Sequence, residues 1–343
     1  MKKRILLLFI TYLYSTVSYS ANILANEKED TLTWYQVTFD NDVMSRLHAS
    51  DDGYTNGLLF AWAKAPVNDF KSIDMPDWIR FISAWTYLDK GAEKDYSLAY
   101  ALSQSMYTPQ DISQPDLIEN DRPYAGTLLW QAKLRSYANN RVDSLALSLG
   151  VVGPASLAQQ TQDLMHQWIG ASKPRGWDHQ IKNEPVFRLT AEHVERFYTY
   201  KLTPNISFDS SLYSEVGIGN LRSDIGTGIT LRLGTSLDDN YASINPTSSA
   251  MQNSFKTDGA PWQWQAFTSL YASYLFNDIT LNGNTFADSH YVDIIPQRLL
   301  LSLGVAISYK KWGMIFSVQH ANKDFEGQES NNQYGSLSVT YHY

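Results

Sequence analysis

Apolar and polar residues alternate with a period of two in one segment of this chain after another. The clearest case is Leu145-Ala146-Leu147-Ser148-Leu149-Gly150-Val151, a row of Leu and Val interleaved with small residues. Such a period predicts strands whose faces meet different surroundings. The segments lie near Trp34–Phe39, Tyr54–Ala63, Tyr96–Met106, Thr127–Tyr137, Val142–Val152 and Val186–Tyr198. They continue near Ile206–Gly217, Ile225–Leu233, Gln263–Phe276, Arg298–Tyr309, Gly313–Gln319 and Tyr334–Tyr343. Many approach the ~9–11 residues that cross a bilayer as a tilted strand. The last one alternates to the final residue and ends on an aromatic. This predicts an all-β chain, a twelve-stranded antiparallel transmembrane β-barrel, because closure removes sheet edges that lipid cannot satisfy. A soluble β-sandwich or lipocalin-like barrel also alternates. The even strand count and the leader favour the membrane.

That leader is the first stretch of the chain. Lys2-Lys3-Arg4 precede the apolar Ile5–Ile10, and Ser18-Tyr19-Ser20 forms a small-x-small cleavage site. Residues 1–20 therefore read as a signal peptide and 21–343 as one barrel domain. Removing the three cations of the leader takes the formal charge from −8 to −11. An acidic chain without a long basic run excludes a nucleic-acid partner. With Cys 0, no disulfide framework or thiolate metal site is available. The 22 Tyr and 10 Trp suit two interfacial girdles. The expected location is the bacterial outer membrane, and the expected state a monomer.

With the N-terminus periplasmic, the odd connections face outward, and they carry the polar motifs. Asp40-Asn41-Asp42, Tyr54-Thr55-Asn56-Gly57, Asp121-Arg122-Pro123 and Gly150-Val151-Val152-Gly153-Pro154 all fall at one rim. Beyond Pro154 a helix is expected, with Ser156 and Gln159 as a capping box and Gly170 as its stop. Gln159, Gln162, Asp163 and His166 share one of its faces, and Leu157, Leu164, Met165 and Trp168 make an apolar one. Ala138–Arg141 and Lys310-Lys311 are expected inward turns. Two inward connections are long. One, about 64–95, carries Trp78, Phe81, Ile82 and Trp85 at helical spacing, an amphipathic helix for the barrel mouth or inner leaflet. The other, about 234–261, is polar, rich in Ser and Asn, and expected to be mobile.

Several residues admit two readings. His166 is either a surface histidine or a general base whose ring Gln162 or Asp163 orients. Asn41 and Asp42 either cap a turn or offer hard oxygens to a divalent cation. Thr55 is a strand residue or a hydroxyl in the same region. Asp121 and Arg122 read as a pin for their loop, and Gly153-Pro154 as a corner. The chain has no Gly-x-Ser-x-Gly elbow, no His-Glu-x-x-His and no phosphate loop. Histidine-activated water with metal assistance is then the simplest hydrolytic chemistry. A non-catalytic barrel (porin or adhesin) and a phospholipase are the alternatives.

In combination, Asp40-Asn41-Asp42, Tyr54-Thr55-x-Gly57, Asp121-Arg122, Gly150–Pro154 and Gln162-x-x-x-His166-x-x-Ile169-Gly170-Ala171 resemble the outer-membrane lipid A 3'-O-deacylase (LpxR-type) family. The resemblance implies calcium-dependent hydrolysis of the 3'-linked acyloxyacyl ester of lipid A, in lipopolysaccharide, at the outer leaflet. It implies a site between the barrel wall and a helix of an outer loop. His166 would be the base for water, Asn41 and Asp42 the polar pair near Ca2+, and Thr55 a further site residue; Gln162 joins this catalytic set from the helix face, as the group one turn earlier that could orient the ring. The family's lysine after strand three has no counterpart in Gln110–Glu119, and Ser172 stands in place of its acidic residue after the helix.

Overall fold

A computed structural model describes residues 34–45, 53–64, 66–84, 86, 88, 94–138, 140–238, 241 and 262–343. The leader, Trp85 and most of the 234–261 connection lie outside them. The twelve expected strands are all present, the majority longer than the alternation suggested. They are β1 (Trp34–Asn41), β2 (Gly53–Ala63), β3 (Asp95–Thr108), β4 (Ala125–Ala138), β5 (Arg141–Val152) and β6 (Glu184–Lys201). The remainder are β7 (Ser207–Ile218), β8 (Arg222–Gly234), β9 (Gln263–Asp278), β10 (Gln297–Tyr309), β11 (Trp312–Ala321) and β12 (Asn332–His342). Each pairs antiparallel with its neighbours in sequence, and β1 pairs with β12, closing the barrel.

Burial follows the period-two pattern that built the strands. On β1, Gln36, Thr38 and Asp40 are buried toward the lumen, whereas Val37 is exposed on the outer wall. On β5, Ser148 is buried and Leu149 exposed, as the alternation requires. The lumen is packed with paired charges. Lys133 meets Glu192, Arg188 bridges Glu215 and Asp224 at 2.6 Å each, and Asp209 lies between Arg196 and Arg232. At the rim, Ile279 joins Ala125, Leu129, Val152, Ile181 and Val186 in an apolar plug. Arg122 is buried over the Tyr107 ring, 4.7 Å from its centroid, and 3.6 Å from Asp324. Its burial lowers its pKa below the ordinary guanidinium range. Arg122 thus acts as the expected pin.

Two helices lie against the outside of the wall. Helix α1 (Asp77–Ser83) belongs to the β2–β3 connection. Instead of crossing the barrel mouth, that connection packs on the outer face of β3 and β4. Phe70, Ile73, Met75, Ile79 and Leu88 cluster there with Tyr96, Leu98, Ala132 and Leu134. Trp78, Phe81 and Ile82 remain exposed. Helix α2 (Ala158–Ile169) lies at the opposite end, in the β5–β6 connection. The Lys310-Lys311 turn forms with Lys310 at φ 51°, and β4 and β5 join through Ala138 and Arg141. In the Ala138–Arg141 turn Asn140 is not left-handed, and Asn139 lies outside the described residues.

Candidate active site

Asn56 of the second motif and the Gly153-Pro154 corner meet where α2 touches the wall, whereas Arg122 turns inward onto Tyr107 and Asp324 and stays apart from them. Gly153, at φ +95°, turns the chain out of β5, and its N–H donates to the Gly126 carbonyl at 2.9 Å. Pro154–Ser156 then form a single 3-10 turn. The expected capping box does not form. Ser156 is fully buried, its hydroxyl donating to the Gly153 carbonyl at 2.6 Å, and the residue capping α2 is Leu157 in left-handed conformation. Gln104 of β3 fastens this corner, its amide donating to the Ser156 carbonyl at 2.6 Å. Gly126 of β4 makes room for it: a Cβ there would stand 2.3 Å from both Ala158 Cβ and Ser156 Oγ. Ala158 packs with Met106, Ile112, Tyr124 and Trp177 on the outer side of the wall. Gly170, at φ +78°, ends the helix as expected.

The helix turns Gln162, His166 and Met165 toward the wall and leaves Leu157, Leu164 and Trp168 exposed. Gln162 is 1 % exposed and His166 7 %, whereas Leu164 is 44 % and Trp168 48 % exposed. On the wall side, the Asn56 amide of β2 donates to Met165 Sδ at 3.4 Å. Asn56 is directly opposite Asn41 in the β1–β2 register. By alternation both belong to the outer face, with Val37 and Phe39 on β1 and with Leu58 and Phe60 on β2. Asn41 thus stands one strand away from the residue that touches α2 beside His166. Asp40, by contrast, faces the lumen, so the Asp-Asn-Asp run is divided between the two sides. Asp42 is buried at the start of a 3-10 turn, Asp42–Ser45. Thr55 occupies the bulge of β2, where the register with β3 steps between Tyr54 and Asn56.

The ring of His166 is oriented by neither Gln162 nor Asp163. Its Nδ1 lies 2.5 Å from the Ser172 carbonyl oxygen. A carbonyl only accepts, so Nδ1 carries the proton and the neutral ring keeps its lone pair on Nε2. Asp163 instead pairs with Lys173 at 3.3 Å. Gln162 is held by a residue that sequence reasoning missed: the Trp177 indole N–H donates to its Oε1 at 2.7 Å. An indole only donates, which fixes the amide orientation and turns the Gln162 NH2 the other way. That NH2 is buried and has no hydrogen-bond partner among the described residues. Trp177 carries no periodic signal in a Gly- and Pro-rich loop, and the Ser172 contact uses a backbone atom. Neither is announced by residue type.

The donors at the end of β1 are oxygens, the chemistry a hard cation takes. Among the described residues, no group of three or more His, Asp or Glu side chains gathers to hold a metal.

The family described as "Outer membrane protein LpxR" matches residues 6–343. This chain belongs to that family. Of the solved structures, LpxR from Salmonella typhimurium is similar at 18 % identity and TM-score 0.72, over 90 % of this chain and 100 % of that one. The β-domain of the Bordetella autotransporter BrkA aligns at 9 % identity and TM-score 0.42, over 91 % of this chain and 99 % of that one. No curated protein sequence matches. The LpxR-family membership and the closed barrel place the chain in the outer membrane.

Proposed function

We propose that this LpxR-family barrel is a lipid A 3'-O-deacylase whose site opens to the outer leaflet, with the α2 rim outermost. The observation that carries the reading is the face α2 turns to the wall. It pairs an imidazole whose Nε2 can accept a proton with a buried amide donor that has no partner among the described residues, on the helix that Asn56 touches at Met165. In the proposed reaction His166 Nε2 takes a proton from water as the water oxygen bonds to the ester carbonyl carbon. The Gln162 NH2 donates to the oxygen that gains charge. The bond from that carbon to the sugar 3'-oxygen then breaks, and His166 returns its proton to the leaving oxygen. The products are a free 3-acyloxyacyl acid and a 3'-hydroxyl. Thr55, in the bulge, borders the same region.

Asn41 and Asp42 are the residues that would hold calcium. Among the described residues no further acidic cluster adds to them, and water and substrate oxygens would complete the six to eight that such an ion takes. When bound, the ion would polarise the ester carbonyl. The charge pairs and apolar plug in the lumen argue against the porin alternative. Mass spectrometry of lipid A from a host expressing the protein tests the reading. Wild type should remove the 3'-acyloxyacyl unit, and His166→Ala or calcium chelation should stop it while the barrel still assembles. Unchanged lipid A with wild type, or full activity in His166→Ala, would overturn the assignment.

A further inference from the structure

The outer wall below the site is bounded at both ends. At the top, α2 and its corner cover the row Asn56–Met106–Gly126 of β2, β3 and β4. At the bottom, the connection bearing α1 covers Leu98 and Leu134 on β3 and β4. Between the covers lie two rows, Leu58–Gln104–Leu128, whose Gln104 holds the α2 corner, and Phe60–Leu102–Trp130, whose Trp130 meets α1. Leu58, Phe60, Leu102 and Leu128 are exposed. An aromatic ladder floors this bay: Trp62 to Tyr100 at 5.8 Å, Tyr100 to Trp130 at 5.9 Å, and Trp130 to Trp78 of α1 at 6.2 Å.

We infer that this bay receives the substrate's acyl chain and selects its length. The inference rests on the deacylase reading and adds the residues that set its specificity. From Asn56 to Trp62 the strand advances six positions, about 20 Å at ~3.3 Å per residue. At a tilt of ~45° that is about 14 Å of depth, close to one leaflet of a ~30 Å hydrocarbon core. A chain whose ester sits under α2 thus has one leaflet of apolar wall to follow before it meets the Trp62–Tyr100–Trp130 floor.

The test is competition between short-chain and long-chain lipid A in mixed micelles, with the ratio of kcat/KM values read by mass spectrometry. Leu102→Trp and Leu128→Trp fill the bay and should shift the ratio toward short chains by roughly tenfold, the scale at which apolar pockets discriminate. Trp130→Ala should shift it the other way. Leu270→Trp, on the exposed outer face of β9, should leave it unchanged. Wild type inactive on both substrates would sink the deacylase reading itself. An active wild type whose ratio Leu102→Trp and Leu128→Trp fail to move would overturn the bay alone, as would an equal shift from Leu270→Trp.

Discussion

Gln162 can be tested without disturbing what holds it. In Gln162→Glu, one carboxylate oxygen still accepts the Trp177 indole N–H, now 2.7 Å from the amide oxygen. The other oxygen replaces the NH2 that has no partner among the described residues. The substitution therefore preserves the anchor and removes the donor. If that donor serves the developing oxyanion, its loss should lower kcat by ~10²–10³, or about 3–4 kcal/mol of transition-state stabilisation, with a smaller change in KM. Gln162→Met, which removes both polar atoms, should cost at least as much. Trp177→Phe cuts the interaction from the other side. It leaves a buried carbonyl oxygen without its donor, a cost of about 1–3 kcal/mol that falls mainly on the packing of α2. Its kcat loss should be the smaller. Initial rates of acyloxyacyl-acid release in mixed micelles give kcat, and heat-modifiable migration on gels reports barrel assembly. A Gln162→Glu enzyme within about twofold of wild type would refute the donor role, since one such donor is worth far more.

Gly126→Leu should push the α2 corner off the wall, because its Cβ would stand 2.3 Å from Ala158 Cβ and Ser156 Oγ. Overpacking of that kind costs about 1–3 kcal/mol, and a displaced His166 should lower kcat/KM by roughly 10²-fold while the barrel still assembles. Away from the membrane, Asp111 accepts from the Ser113 hydroxyl at 2.6 Å, the Gln114 amide at 3.0 Å and the Ser113 N–H at 3.0 Å. These bonds hold its carboxyl below the ordinary aspartate range. The unfolded chain then binds the proton more readily, so the stabilisation is complete above the usual value near ~3.9 and fades as pH falls through the lowered one. Protease nicking of the 109–123 loop should therefore rise only below about pH 4; a rise between pH 7 and 5 would exclude Asp111 as its origin.

The barrel was legible because strand alternation is a local pattern that the lipid–lumen divide enforces on every strand. Val37 and Leu149 meet the outside, Thr38 and Ser148 the lumen, and no distant contact is needed to predict it. The rim motifs were legible for the complementary reason: Asn41, Thr55 and Gly153 interrupt the alternation where strands stop. What escaped was decided by tertiary contact. Ser156 and Gln159 satisfy the capping-box pattern, yet Ser156 is drawn to the Gly153 carbonyl and Leu157 takes the strained cap position. Trp177 and the Ser172 carbonyl orient the two polar groups of α2 from a loop without period. The 64–94 connection showed its amphipathic spacing, but only Phe70, Ile79 and Leu88 seated on Leu98 and Leu134 reveal that it clasps the wall.

On the proposed reading α2 lies against lipid, and its orientation follows from that solvent. In water, leaving Leu164 and Trp168 exposed while burying Gln162 and His166 would sacrifice about 1.5–3 kcal/mol for each large apolar side chain. Against lipid that term vanishes, since acyl chains are as apolar as leucine. Unpaired amides and imidazoles become the costly groups, and they must turn toward the protein. The same inversion that keeps α2 stable therefore delivers its polar face to the outer wall at Asn56. A hydrolytic site placed on the outside of a barrel needs this arrangement. Its reacting groups stay in a sheltered seam, while the substrate's chains remain in the phase they already occupy.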